Sequence, residues 1–110
     1  VEQNSLYDAF LANIWAYKEQ VLPLKMDSID GVKKIKELGI YPDLIYIDSS
    51  HQYQHTKNEL NTIDDLFPDC VICGDDYSNN YKGVIQAVDE FVKSKNYNTT
   101  IIDGRFIIKK

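Results

Sequence analysis

The sequence predicts an α/β fold in which a mainly parallel sheet is covered by helices on both faces and carries an antiparallel hairpin at one edge. Two patterns support this prediction. Short, nearly continuous apolar runs alternate with longer segments whose apolar residues recur at helical spacing. Near the end of the chain, Asp103 and Gly104 form a hairpin turn signal between two further apolar runs. With 110 residues, 44% of them hydrophobic and 26% charged, the chain is predicted to form one globular domain over residues 1–110.

Four segments carry apolar residues at the spacing of one helical face. They are Asn4 to Gln20, the segment from Ser28 through Leu38, Gln54 to Phe67, and Gly83 to Lys93. Asn4 or Ser5 can cap the first helix and Ser28 the second, because their side-chain oxygens accept hydrogen bonds from backbone N–H groups. Gly39 stands where a left-handed helix terminator belongs, and Pro68 stops the third helix.

Five apolar runs are predicted to be strands. They are Val21 to Met26, Asp43 to Asp48, Cys70 to Cys73, Thr99 to Asp103 and Arg105 to Lys109. The second and third runs are apolar at nearly every position, which is typical of parallel strands buried on both faces. In such sheets, ligands bind at the carboxyl ends of the strands.

Charge and hydropathy exclude two classes of partner. The formal net charge is -5 and the basic residues are scattered, so the chain has no continuous positive stripe for nucleic acid. No stretch approaches the ~18 apolar residues of a membrane span, and no charged-then-apolar leader opens the sequence. We therefore expect a cytoplasmic protein that binds neither nucleic acid nor membranes.

The two cysteines, Cys70 and Cys73, are too few for a disulfide framework and lie in a predicted strand. Their C-x-x-C spacing also occurs in redox sites and as half of a zinc site. We favour two reduced structural thiols.

Polar residues follow three of the predicted strands, and we expect them to meet at one edge of the sheet. Asp27 and Ser28 follow the first strand, Asp48 ends the second, and Asp75 and Asp76 come directly after the third. Like charges brought together need a cation or a shared proton, and Mg²⁺ prefers such oxygen ligands. The alternative is that these carboxylates only cap the helices that follow.

Two histidines lie close to these carboxylates in the sequence. His51 is three residues past Asp48, and an imidazole suits proton transfer near neutral pH, although a loop histidine is often structural. His55 would share a helical face with His51, which forms a weak H-x-x-x-H zinc pattern.

Three motifs occur in the order found in a known enzyme family. They are Asp43-Leu-Ile-Tyr-Ile-Asp-Ser-Ser-His-Gln-Tyr53, Gly74-Asp-Asp-Tyr77 and Gly83-Val-Ile-Gln-Ala-Val-Asp-Glu-Phe91. With them, nearly the whole chain resembles the class I S-adenosylmethionine-dependent methyltransferases, which have a Rossmann-like three-layer fold. The most similar subgroup is methyltransferase domain family twenty-four, with its macrocin-type sugar O-methyltransferases.

The resemblance implies a role for each candidate site residue. Asp48, Asp75 and Asp76 would bind Mg²⁺ beside the acceptor hydroxyl, and His51 with Asp48 would take part in catalysis. The loop at Asp27 and Ser28 would contact the adenine of S-adenosylmethionine. The implied reaction is attack of a metal-held, deprotonated hydroxyl of a small molecule such as a sugar on the cofactor's methyl group.

The sequence departs from the family in ways that affect these expectations. The glycine-rich cofactor loop and the acidic residue that holds the ribose have no counterpart, so the chain aligns only from the helix before the family's third strand onward, as a domain truncated at its amino terminus. Ser49 stands where the family often has glycine, and Pro68-Asp69 replaces a common Gly-Gly. The missing strands would leave an open edge. We expect either that Val21 to Met26 pairs with Leu44 to Ile47, or that a second chain covers this edge in a homodimer.

Three readings follow from these patterns. The first is a methyltransferase fragment, which alone is expected to lack part of its cofactor site. The second is a non-catalytic binding or assembly module that has kept the sheet and lost the cofactor site. The third is a phosphoacceptor receiver domain, but receivers place the acidic pair before the single aspartate, whereas here the pair follows it.

Overall fold

The computed structural model describes residues 5–110, which form helices α1 to α4 and strands β1 to β4. In chain order the elements are α1 (Leu6–Ile14), a 3₁₀ turn (Trp15–Tyr17), α2 (Ser28–Glu37), β1 (Leu44–Ile47), α3 (Tyr53–Leu66), β2 (Val71–Gly74), a 3₁₀ turn (Asn79–Tyr81), α4 (Lys82–Lys95), β3 (Asn98–Ile102) and β4 (Arg105–Lys109). All four predicted helices are present, with ends that differ by a few residues. No helix within residues 5–110 is long and apolar enough to cross a membrane.

Helix ends follow the local sequence closely. Ser5 caps α1 in a reciprocal arrangement with Asp8, whereas Asn4, the other predicted cap, lies outside the described residues. The cap of α2 is Asp27 rather than Ser28, and its carboxylate accepts a hydrogen bond from the N–H of Ile29. Gly39 has a φ of 77°, as predicted for a left-handed terminator.

The four strands form one mixed sheet in the order β1-β2-β4-β3. β1 and β2 run parallel, with Leu44 opposite Val71 and Ile47 opposite Gly74. β4 is antiparallel to both β2 and β3, and the β3–β4 pair is the predicted hairpin. The sheet is therefore only partly parallel, because the run expected to add another strand does not join it.

The prediction that Val21 to Met26 is a strand is wrong, and so is the alternative in which it pairs with β1; coverage of this edge by a second chain stays a prediction. The segment has no regular secondary structure. Pro23 has no N–H to donate to a neighbouring strand, and the N–H of Met26 bonds instead to the carbonyl of Leu24, only two residues back. β1 is consequently the edge of the sheet.

Helices cover one face of the sheet. Ile72, Phe106 and Ile108 point to this face and pack in one cluster with α3 and α4 side chains such as Leu60 and Val88, all at most 1% exposed. On the opposite face, large side chains are exposed to water. They are Leu44, Tyr46 and Val71. No residue of α1 is buried, so the described residues show two layers where three were expected.

Candidate functional site

The candidate site lies at the carboxyl ends of β1 and β2. Because these two strands are parallel, the residues that follow them emerge at the same edge of the sheet. The N–H of Asp75 donates to the carbonyl of Ile47, which places the start of the second loop directly beside Asp48. This is the arrangement that the sequence predicted for Asp48, His51, Asp75 and Asp76.

Two glycines permit the close packing beneath this edge. A methyl group on Gly74 would lie 2.5 Å from the ring of Phe106. A methyl group on Gly83 would lie 2.9 Å from the nitrogen of Tyr53 and 3.0 Å from the carbonyl oxygen of His51. Since real Cβ contacts are longer, only glycine lets α4 begin against the His51 loop.

His51 and Asp76 come together at this edge. The Nε2 atom of His51 lies 2.7 Å from Oδ2 of Asp76. Asp76 has a φ of 63°, a left-handed conformation that aspartate tolerates better than most residues. The His51 ring also stacks on Tyr81, with centroids 3.8 Å apart and planes 22° apart. The imidazole is thus held both at its edge and on its face.

The Asp75 carboxylate does not contact His51 in the way that Asp76 does, but has partners of its own. Its Oδ1 accepts a hydrogen bond from the N–H of Asp76, and its carboxylate also interacts with the Tyr46 hydroxyl. The backbone hydrogen bond, the Tyr46 hydrogen bond and the charge of Arg105 lower the pKa of Asp75. Partial desolvation raises the pKa of Tyr46, and its bond to Asp75 adds to the rise.

The three carboxylates predicted to bind Mg²⁺ share this edge but do not form a metal centre. Within the part of the chain that the structure describes, no three histidine, cysteine, aspartate or glutamate side chains are grouped so that they could hold a metal ion. Asp75 is engaged by Tyr46 and Asp76 by His51. The arrangement as it stands therefore does not fit the ion.

Glu59 is a site residue that the sequence analysis missed. Its side chain is only 3% exposed, yet its Oε2 accepts hydrogen bonds from Ser28 Oγ and Ser49 Oγ, both at 2.7 Å. Glu59 occupies the face of α3 that also carries the buried residues Leu60 and Ile63. A charged residue on an apolar helical face was the signal available in the sequence, because such a residue is rarely buried without partners.

His55 links this glutamate to the start of α2. Its Nδ1 lies 3.2 Å from Glu59 Oε1, and its Nε2 lies 3.2 Å from Asp27 Oδ1. Burial lowers the pKa of His55, but the Asp27 hydrogen bond and the charges of Glu59 and Asp27 outweigh burial, and the net pKa is raised. The hydrogen bond with His55 in turn lowers the pKa of Asp27. His51 and His55 thus have separate acidic partners and do not form the zinc pattern considered above.

A cavity of about 300 Å³ opens between α2 and β1. Its walls include aliphatic side chains of α2, β1 and α3, and its polar side consists of Ser28, Asp48, Ser49 and Glu59. Ser28 faces this cavity, whereas Asp27 caps the helix and contacts His55. The loops predicted to contact cofactor and substrate therefore meet at one cavity.

Both cysteines are free thiols. Cys70 is buried and Cys73 is half-buried. Burial raises the pKa of both thiols, which opposes the thiolate form needed for redox chemistry or metal binding.

Comparisons with protein-family models, with curated proteins and with solved structures find no protein that matches this chain. The resemblance to methyltransferases consequently rests on the three sequence motifs. The roles it implies stay predictions, and the geometry of the site supplies the arguments that follow.

Proposed function

We propose that this chain is part of a class I S-adenosylmethionine-dependent methyltransferase with a Rossmann-like fold, which methylates a hydroxyl group of a small molecule such as a sugar. One observation carries the proposal. Ser28, from the loop assigned by resemblance to the adenine, and Asp48, from the loop assigned to the chemistry, line the same cavity. A parallel strand pair with its ligand loops at the carboxyl ends supports the same assignment.

The cavity suits the adenine end of the cofactor. Aliphatic walls such as those of Val32 and Ile45 would pack against a flat ring, and hydroxyl and carboxylate groups on one side would meet its polar edge. The residues that would hold the ribose and the amino-acid end have no counterpart in the sequence. We therefore infer that this chain holds one part of the cofactor site.

His51 is the residue that we assign to proton transfer. Its Nε2 donates to Asp76, which leaves the lone pair on Nδ1 to accept a proton from the acceptor hydroxyl. Stacking on Tyr81 restricts rotation of the ring, so the accepting nitrogen is held in one direction. S-adenosylmethionine, when bound, would supply a methyl group activated by its sulfonium: the acceptor oxygen would bond to that carbon as the carbon–sulfur bond breaks and S-adenosylhomocysteine leaves, and His51 would hold the proton of the hydroxyl.

Magnesium binding stays a prediction of the resemblance. For Asp75 and Asp76 to act as ligands, Asp75 would have to release Tyr46 and Asp76 would have to release His51. The proton transfer assigned above uses His51 and Asp76 alone and passes through no ion.

Calorimetric titration with S-adenosylhomocysteine, with and without Mg²⁺, tests both assignments. We expect the chain to bind the ligand. An affinity gain on adding Mg²⁺ that Asp75→Ala removes would locate the ion at this edge. Asp69→Ala is the matched control, because Asp69 precedes β2 at the opposite end of the strand. The absence of ligand binding under both conditions would overturn the proposal for this chain.

The second candidate function is a non-catalytic binding or assembly module. The exposed sheet face at Leu44, Tyr46 and Val71, together with the open edge of β1, favours it. In that case a second copy of the chain would cover the edge in a homodimer. Sedimentation of the chain and of Leu44→Lys tests this function, since a dimer that uses this face should weaken in the variant. A cytoplasmic location stays a prediction under either function.

A further inference from the structure

Glu59 is the buried charged residue that lines the cavity. Burial of a carboxylate is unfavourable unless hydrogen bonds replace its lost water, and Glu59 has three such partners: one at the start of α2, one in the loop after β1 and one on its own helix. Because Leu60 and Ile63 beside it are core residues, the backbone of Glu59 is held firmly in α3. A rigid backbone with a fully engaged carboxylate is an arrangement that can position other groups.

One oxygen of Glu59 joins the two loops that form the polar side of the cavity. Ser28 is the first residue of α2, and Ser49 lies two residues beyond the end of β1. Both hydroxyls donate to the same Oε2 atom at 2.7 Å. The distance between the loops is therefore limited by their shared acceptor.

The other oxygen of Glu59 attaches the start of α2 a second time. Oε1 contacts Nδ1 of His55, and Nε2 of the same ring contacts Asp27. Asp27 is the cap of α2, since its carboxylate accepts from the N–H of Ile29. Asp27 and Ser28 are thus both anchored on α3, Ser28 by Glu59 and Asp27 by His55, whose ring Glu59 contacts at its other nitrogen.

We infer that Glu59 is the positioning residue of the cavity: it sets the spacing between the Ser28 loop and the Asp48–Ser49 loop, with His55 as its support. The identity of the ligand rests on the proposed function, but the coupling between the two loops does not. Both oxygens of Glu59 are engaged by protein groups, so its role is to hold Ser28 and Ser49 in place and not to contact the ligand.

The first test measures this coupling without any ligand. Ser28→Ala should shift the amide NMR resonances of Ser49 and Ser50, and Ser49→Ala should shift those of Ser28 and Ile29. In a Glu59→Leu background, which removes the shared acceptor, each cross-effect should disappear. Cross-effects that persist in Glu59→Leu would overturn the inference. The absence of cross-effects in the single serine variants would overturn it as well. If Glu59→Leu does not fold, the single serine variants alone decide the test.

The second test separates positioning from a general effect on stability. Glu59→Gln keeps one side-chain oxygen that can accept from both serines, so it should retain the cross-effects that Glu59→Leu loses. Glu37→Leu, at an exposed glutamate near the end of α2, is the matched control and should leave the cross-effects unchanged. Equal loss in Glu59→Gln and Glu59→Leu would contradict the shared-acceptor geometry.

Affinity for S-adenosylhomocysteine gives the third readout. The effects of Ser28→Ala and Ser49→Ala on the dissociation constant should be non-additive by about 3-fold or more, because both residues act through one oxygen. Strictly additive effects of the two serine variants on the dissociation constant would contradict the positioning role of Glu59. If the unaltered chain binds no S-adenosylhomocysteine, the proposed function fails, while the NMR cross-effects still decide the role of Glu59.

Discussion

The two parts of this chain differ in how they are held together. Every buried residue of the described structure lies between Ile47 and Ile108, in α3, in α4, in the sheet or, for Phe67 and Cys70, in the turn that joins α3 to β2. Residues 5–43 contain no buried residue. There Leu6 is 91% exposed and Trp15 63% exposed.

The amino-terminal part is attached largely by polar contacts. α2 is joined to α3 by the Ser28–Glu59 and Asp27–His55 hydrogen bonds, and by Lys36, whose Nζ donates to the carbonyl of Leu66. A hydrogen bond contributes about 1 kcal/mol net, whereas burial of one large apolar side chain contributes about 1.5–3 kcal/mol. The cavity is therefore lined by a firm carboxyl-terminal half and a weakly held α2, and local opening should begin at α2.

The largest expected effect is in the core of the carboxyl-terminal part. Ile72→Ala should lower the free energy of unfolding by about 2–5 kcal/mol, because Ile72 is 0% exposed and leaves a cavity beneath two helices. Val32→Ala, at a half-buried position of α2, should cost only about 0.5–1 kcal/mol. Denaturant unfolding of both variants measures the difference. Equal losses would show that α2 belongs to the same core.

A smaller effect is expected where the chain end is anchored. The carboxylate of Asp64 is 6% exposed, lies 2.9 Å from Lys110 Nζ and accepts from the Tyr97 hydroxyl at 3.1 Å. Asp64→Ala removes the acceptor of the Tyr97 hydroxyl and the charged partner of Lys110, which keeps only the carbonyls of Phe67 and Pro68, and should cost about 2–3 kcal/mol. The neighbouring Asp65 is exposed, so Asp65→Ala is the matched control and should stay within about 0.5 kcal/mol of the unaltered chain. A similar loss in both variants would contradict the assignment.

The attachment of α2 should also depend on pH through His55. The folded pKa of His55 is raised above its ordinary 6.5, so its contribution to stability is fully present below pH 6.5 and is lost as pH rises through the raised value. In thermal unfolding, the unaltered chain should be more stable than His55→Gln at about pH 5.5, and this difference in stability should shrink as pH rises through the raised pKa of His55.

Asp27→Asn provides the control for this pH effect. The pKa of Asp27 is lowered from its ordinary 3.8, so its carboxylate is charged throughout that range and its own contribution is lost only in stronger acid. Removing this charge should reduce the pH-dependent advantage conferred by His55. An advantage that grows with rising pH would contradict the bridging geometry.

The smallest effect is expected in α1. Leu6→Ser should change the free energy of unfolding by less than about 0.5 kcal/mol, because the Leu6 side chain is 91% exposed in this structure. Denaturant unfolding checks the value. A loss above about 1 kcal/mol would show that α1 is covered in solution, which would favour the homodimer.

The parts of the site that sequence reasoning predicted are those that follow directly from strand ends. Asp48 and Asp75 had to emerge at one edge once β1 and β2 were parallel neighbours. The side chain that each carboxylate contacts could not be predicted from the positions of the strand ends. Asp76 pairs with His51 across 25 positions of sequence, and Asp75 turns to Tyr46 on the exposed face of the sheet.

The sequence alone determined the local features of this protein, such as its hairpin turn and a helix end. The turn at Asp103 and Gly104, with φ values of 49° and 74°, and the terminator at Gly39 depend only on neighbouring residues. Only the tertiary structure decided that Val21 to Met26 has no partner strand and that Glu59 is a site residue. A strand needs a partner for its backbone groups, and a buried charge needs donors from distant loops. Both conditions depend on how the elements pack, which no single segment specifies.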